Sequence, residues 1–223
     1  MIKLGETFPD FEANTSVGTI KFHEWLGNSW GILFSHPHDF TPVCTTELAR
    51  VVKLMPEFGR LGVKVIALSC NSVDSHKKWI EDIKAYGGIQ SSDFPYPIIE
   101  DESRKLCIML GMLDPQELDS AGVPVSARSV FIIDENKKMR LSILYPATTG
   151  RNFDEIIRVL ESLKLTDKYK VATPVDWKKG DPVMIQPNIP DEEAKKLFTS
   201  KINTMELPSR KNYLRLIDEP TDA

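Results

Sequence analysis

Short apolar runs alternate along this chain with longer stretches in which apolar positions recur every three or four residues. The runs are "WGILFS" (30–35), "VKVIALS" (63–69), "YPIIED" (96–101), "SVFIID" (129–134) and "MRLSILY" (139–145). Each is short and rich in Ile, Leu and Val, which predicts a buried strand. "DENKK" (134–138) joins the last two as a hairpin connection. Helical spacing fills the intervals. From Pro42 onward Leu48, Val51, Val52, Met55 and Phe58 predict one helix. Pro56 lies inside it, removes the bond to the Val52 carbonyl and predicts a kink. Over 74–86, Trp79, Ile80, Ile83 and Tyr86 share a side, and Gly87-Gly88 end the helix. Residues 103–110 predict a short third helix. Asn152 with Glu155 makes a capping-box-like start for a fourth, which turns Phe153, Ile156, Ile157, Leu160 and Leu163 to the core.

Strands alternating with helices predict an α/β sheet covered on both faces, with a late antiparallel pair. Beyond about Thr166 the pattern changes. Pro174, Pro182, Pro187, Pro190, Pro208 and Pro220 punctuate the rest. "PDEEAKKLF" (190–198), acids first and lysines later, suits one short helix. Two domains are therefore expected, 1–165 and a smaller 166–223. Val183, Met184 and Ile185 suit either a strand core or an interface.

Composition narrows the function classes. Of 223 residues 41% are hydrophobic and 27% charged, as in a soluble globular protein. A formal net charge of −4 suggests neither a nucleic-acid partner nor a membrane surface. No apolar run approaches the ~20 residues that span a bilayer, and "MIKLGETFPDF" has no signal-peptide core. The three cysteines, Cys44, Cys70 and Cys107, form no CxxC pair and are odd in number. That argues against a disulfide framework or dithiol motif and for a reduced, cytoplasmic protein.

The chemistry gathers at "HPHDFTPVCTTEL" (36–48). Thr41 suits an N-cap and Pro42 the first helical position. Cys44 then lies in the first turn, where free backbone N–H groups favour thiolate over thiol. The preceding strand ends near Ser35, so Cys44 stands at a strand's carboxyl end, where open α/β sheets build their sites. The competing reading is a small buried hydrophobe. Cys70, at a strand end, and Cys107, on an apolar helix face, read as packing residues. His36 and His38 with Cys44 lack a fourth metal ligand. His36 serves better as a donor that fixes the thiolate. His76, on a lysine-rich helix face, reads as solvated.

"PHDFTPVC" (37–44) carries the pattern P-x-x-x-T-x-x-C and resembles the active-site loop of the peroxiredoxins. "SWGILFSHP", "PVSARSVFIID", "LSILYPATTGRNFDEIIRVL" and "ATPVDWKKGD" resemble the one-cysteine branch, the peroxiredoxin-6 type. The resemblance runs from "GETFPDF" to about Leu214. It implies a thioredoxin-like fold with a central mixed sheet and a C-terminal dimerisation domain. It implies a peroxidase without bound cofactor or metal, acting on hydrogen peroxide and organic, including lipid, hydroperoxides. Cys44 would be the peroxidatic cysteine and form a sulfenic acid. Thr41 would hydrogen-bond the thiolate and the peroxide oxygen, Pro37 would shield the sulfur from water, and Arg128 would supply positive charge. His36 would line the pocket, Glu47 would orient the arginines, and Arg151 would be a further cation behind them. No cysteine follows Cys107. The expected reductant is therefore an external small thiol such as glutathione, delivered directly or by a glutathione transferase.

"GNSWG" (27–31) fits G-x-S-x-G, but Ser29 precedes its strand, whereas a nucleophile elbow follows one. The same branch is credited with a phospholipase A2 activity whose serine and histidine match Ser29 and His23. Its aspartate aligns with Asn136, and Asp134 is shifted by two positions. An asparagine cannot stabilise an imidazolium as a carboxylate does, so weak or absent lipase activity is expected. A non-enzymatic holdase or signalling role is the third class.

Overall fold

The computed structural model describes residues 2–221. Its contacts divide the chain into two compact units, Met1–Phe153 and Asp154–Ala223. In the first unit the elements run β1 (Glu12–Thr15), β2 (Gly18–Lys21), α1 (Phe22–Leu26), β3 (Trp30–Ser35), α2 (Pro42–Arg60), β4 (Val63–Ser69) and α3 (Val73–Gly87). They continue with β5 (Ile98–Glu100), α4 (Lys105–Leu110), β6 (Leu113–Leu118), β7 (Pro124–Ser126), β8 (Arg128–Ile133) and β9 (Met139–Tyr145).

Seven strands form one sheet in the order β2-β1-β5-β4-β3-β8-β9. β3, β4 and β5 pair in parallel, because α2 and α3 supply the long crossovers that parallel neighbours need. β8 pairs antiparallel with β3, and the β8–β9 hairpin closes that edge. The sheet is therefore mixed, as a thioredoxin-like fold requires. Every residue of β3 and of β8 is buried, which accounts for their unbroken apolar runs. Antiparallel pairing of Phe34 with Val130 brings the start of β8 beside the end of β3. That register decides where the site forms.

β3, β4 and β9 span the expected residues, and β8 is displaced by one. β5 is shorter than the apolar run at 96–101. Tyr96 lies outside it, buried, with its hydroxyl donating to the Leu48 carbonyl at 2.8 Å. α2 continues through Pro56 to Arg60 as one helix. α3 buries Trp79, Ile80 and Ile83, but Tyr86 is 63% exposed and does not join that face. Gly88, with φ +65°, supplies the left-handed residue that ends α3. α4 starts later than expected because Arg104, with φ +59°, precedes it in left-handed conformation, while Asp101 accepts from Leu106 N–H at 3.2 Å and Cys107 N–H at 2.8 Å. The apolar pattern does not predict the β1–β2 and β6–β7 hairpins. β6, "LDPQEL", is an exposed pair-strand without the alternation that marks one face as buried.

The helix α5 (Phe153–Lys168) opens the second unit. The boundary expected at 165/166 falls inside this helix, whose residues from Asp154 onward group with the second unit. The unit also holds β10 (Val171–Ala172), β11 (Val183–Ile185), α6 (Asp191–Leu197), β12 (Asn203–Thr204) and β13 (Arg215–Ile217). The strands form a four-stranded sheet in the order β10-β11-β13-β12. Val171, Trp177, Val183, Ile185, Ile189, Ala194, Phe198 and Ile217 make its core. Val183 and Ile185 are thus strand core. No described helix is long and apolar enough to cross a membrane.

Candidate active site

Thr41 precedes α2 in extended conformation, and Pro42 takes the first helical position. The first bond of α2 runs from Thr45 N–H to the Thr41 carbonyl at 3.0 Å. Cys44 is therefore in the open first turn, where amide dipoles favour negative charge. Its side chain is fully buried.

The register of β8 against β3 brings Arg128 to this turn. Arg128 Nη1–H donates to Cys44 Sγ at 3.3 Å and to Glu47 Oε2 at 2.9 Å. Arg128 Nε and Nη2 both donate to the Ala147 carbonyl, at 2.9 and 2.6 Å, which holds the guanidinium plane in place. Glu47 follows Cys44 by three residues and so shares its face of α2. It also receives Arg151, through N–H at 2.7 Å, Nε at 3.0 Å and Nη2 at 2.6 Å. Arg151 Nη1 reaches the carbonyls of Ser35 and Ser129, at 2.8 and 2.9 Å, and so ties the helix to both central strands.

Both arginines and Glu47 are buried. Burial alone would raise the Glu47 carboxyl. Arg151, and then Arg128, outweigh it and hold the carboxyl below its usual range. One carboxylate between two guanidiniums leaves one uncompensated positive charge next to Sγ. A negative charge on Cys44 would neutralise it.

The preceding loop has its own network. His36 is fully buried, and its Nε2 meets Asp39 Oδ1 at 2.9 Å. His76 Nδ1 meets Asp39 Oδ2 at 2.8 Å, and His76 Nε2 meets the Ile99 carbonyl at 3.1 Å. Ser75 donates to the same Oδ2 at 2.7 Å, and Asp39 N–H donates to Asn71 Oδ1 at 3.1 Å. Burial lowers the His36 imidazole despite Asp39, and His36 Nδ1 has no hydrogen-bond partner. Protonating it would bury an unsatisfied donor. Phe40, 55% exposed, has φ +55°. A bulky residue there is strained by about 1–3 kcal/mol, which the surrounding network sustains.

Three expectations change. His36 donates to Asp39, not to the thiolate. Thr41 Oγ1 donates to the His38 carbonyl at 2.8 Å and gives α2 no side-chain cap, so its proton points away from sulfur. His76 is fully buried, not solvated. His76, Trp79, Ile80 and Ile83 stand at i, i+3, i+4 and i+7, so the apolar stripe of α3 marks His76 as inward-facing. Asp39 carries no comparable signal, because its partner on α3, His76, lies 37 residues away. Pro37 is buried beside His36.

Ser29 and His23 do not form a charge-relay pair. His23 Nε2 meets the Phe8 carbonyl at 2.7 Å, while half-buried Ser29 lies in the turn between α1 and β3. Asp134 Oδ1 accepts from Asn136 and Lys138 N–H groups at 2.9 and 2.8 Å, so the hairpin occupies that carboxylate.

Residues 4–142 match the AhpC/TSA family, and residues 162–201 match the C-terminal domain of 1-Cys peroxiredoxin. Peroxiredoxin-6 of Sus scrofa is 62% identical over 218 residues, 97% of each chain. That of Homo sapiens is 61% identical with the same coverage. A cysteine-to-serine mutant of the peroxiredoxin 6 of Arenicola marina superposes with a TM-score of 0.97 at 56% identity, covering 100% of both chains. A yeast mitochondrial 1-Cys peroxiredoxin, whose thiol is resolved via glutathione/thioredoxin systems, gives 0.86 at 42% identity over 98% of this chain and 100% of that one. With its buried thiol held against a guanidinium at the head of α2, the chain belongs to the peroxiredoxins, peroxidases of the AhpC/TSA family, in the one-cysteine branch of the peroxiredoxin-6 type.

Proposed function

We propose that Cys44 is the peroxidatic residue and that it reduces hydrogen peroxide and organic, including lipid, hydroperoxides. The thiolate attacks the terminal peroxide oxygen, the O–O bond breaks, and the departing oxide leaves as water or an alcohol after taking up a proton. Cys44 becomes a sulfenic acid. Charge moves from sulfur to the departing oxygen, so fixed donors around both stabilise the transition state more than the ground state. The observation that supports this reading is Arg128 Nη1 at 3.3 Å from Cys44 Sγ, with Glu47 fixing the guanidinium. Thr41, whose hydroxyl donates to the His38 carbonyl at 2.8 Å, would donate to a bound peroxide by giving up that bond. Pro37 excludes water.

An external thiol such as glutathione returns the sulfenic acid to thiol. One molecule forms a mixed disulfide with loss of water, and a second displaces it as oxidised glutathione. A glutathione transferase is a fitting donor for so buried a sulfur. The match of residues 162–201 to the C-terminal domain of 1-Cys peroxiredoxin supports reading the second unit as the part through which two copies pair. Stopped-flow peroxide consumption in the presence of glutathione tests the assignment. Cys44→Ser is expected to abolish turnover, and turnover equal to wild type overturns it.

A further inference from the structure

The other two cysteines lie together. Cys70 is the first residue after β4, and Cys107 sits in α4, 37 positions along the chain. Their sulfurs are 3.7 Å apart. Cys107 is fully buried in the cluster that holds Leu68, Leu106 and Leu110, while Cys70 packs on the cluster's edge and is partly open. Cys44 lies outside that cluster, and the peroxidase chemistry leaves both of these thiols unused.

We propose that Cys70 and Cys107 form a second peroxide-oxidisable site, which closes into an intramolecular disulfide independent of Cys44. A disulfide needs sulfurs at about 2.05 Å, so the 3.7 Å gap must close as the bond forms. The two thiols divide the work. The hydrogen bond with Cys70, and burial near Asp101, hold the Cys107 thiol strongly protonated. Cys70 is the one that ionises more readily. The Cys107 hydrogen bond lowers its thiol, burial opposes, and the Ser126 backbone and the Arg104 guanidinium add to the lowering. Asp101 Oδ2 accepts from Cys107 N–H at 2.8 Å and so fixes the helix that presents the second sulfur.

The step balances with a hydroperoxide as oxidant. The Cys70 thiolate takes one oxygen, the O–O bond breaks, and an alcohol or water leaves. Cys107 then attacks the Cys70 sulfenic sulfur, its proton goes to the departing hydroxide, and water leaves. Two thiols are oxidised by two electrons and one peroxide is reduced.

The Cys44→Ser variant isolates the site. It is treated with a few equivalents of hydrogen peroxide, denatured in N-ethylmaleimide and digested without reductant. The expected result is a linked pair of peptides containing Cys70 and Cys107, a loss of two alkylated thiols and two hydrogens, and full recovery with dithiothreitol. The link is expected to vanish in Cys44→Ser/Cys107→Ser. Two alkylated thiols after peroxide overturn the proposal, as does Cys70 sulfinic acid beside alkylated Cys107. In parallel, Cys70→Ser/Cys107→Ser with Cys44 intact is expected to keep wild-type peroxide turnover, and loss of that turnover in a folded variant likewise overturns the independence claimed. An absent link alongside a peroxidase-dead Cys44→Ser removes this site and leaves the Cys44 assignment standing.

Discussion

At the scale of single residues the site is a charge balance around one sulfur. Arg128 serves three partners at once: Cys44 Sγ, Glu47 Oε2 and the Ala147 carbonyl. Only a planar fork of donors reaches all three. Arg128→Met is therefore expected to slow the reaction with hydrogen peroxide by about 10²–10³-fold, the usual loss for one preorganised donor. Stopped-flow rates at neutral pH measure this, and a rate within a few-fold of wild type would remove Arg128 from the chemistry. Arg128→Lys should recover little, since one ammonium cannot hold the plane. Glu47 carries a different burden. It is the carboxylate that both buried guanidiniums share, and Glu47→Gln removes that counter-charge. A loss of about 3–5 kcal/mol is expected, as for a broken buried pair. Urea unfolding measures it, and an unchanged midpoint would mean that the arginines are balanced elsewhere.

At the scale of elements, β3, α2, β8 and α3 build the site, and their visibility in sequence differs for physical reasons. β3 and β8 read clearly because both faces are covered, which turns each into an unbroken apolar run. α2 reads clearly from Pro42 and its spaced Leu and Val positions. Glu47, on α2, and Arg151, between β9 and α5, look like ordinary charged residues until the fold places them together. Nothing local encodes a pairing across 104 positions, and the resemblance alone singles those residues out. The loop joining β3 to α2 is bound to α3 by Asp39, and this joint is expected to weaken at low pH. Burial lowers the His36 imidazole, with His76 and Arg151 adding to it and Asp39 opposing. An unfolded chain takes up a proton at His36 near the ordinary value of 6.5, before the folded chain does. Stability is then full above that value and falls as the pH drops below it toward the lowered folded value. Burial would raise the Asp39 carboxyl, yet hydrogen bonds from His36 and His76 hold it well below the carboxylate range. Its contribution is lost at still lower pH, below about 4. Urea midpoints are expected to fall between about pH 7.5 and about pH 5.5, and midpoints level across that interval would contradict the buried neutral His36.

At the scale of the whole molecule, the first unit buries Cys44 fully, and the proposed cycle needs a thiol from outside to finish it. Cys70 and Cys107 face each other at 3.7 Å, and no cysteine follows Cys107. The lack of a later cysteine is legible in the residue count alone. The close pairing of Cys70 with Cys107 is not, because 37 residues of helix, loop and strand separate them. A sulfenic acid without an internal partner persists until an outside thiol or a second peroxide meets it. The two fates compete by concentration, so the balance between recycling and sulfinic over-oxidation is set outside the chain. One equivalent of hydrogen peroxide without thiol is expected to leave Cys44 as a sulfenic acid that dimedone traps. Glutathione added first should replace the dimedone adduct by a mixed disulfide at Cys44, and excess peroxide should yield sulfinic acid there. Intact-mass and peptide analysis of the three samples reads all of these outcomes. A disulfide from Cys44 to Cys70 or Cys107 in the first sample would show an internal resolving partner and overturn the one-cysteine cycle.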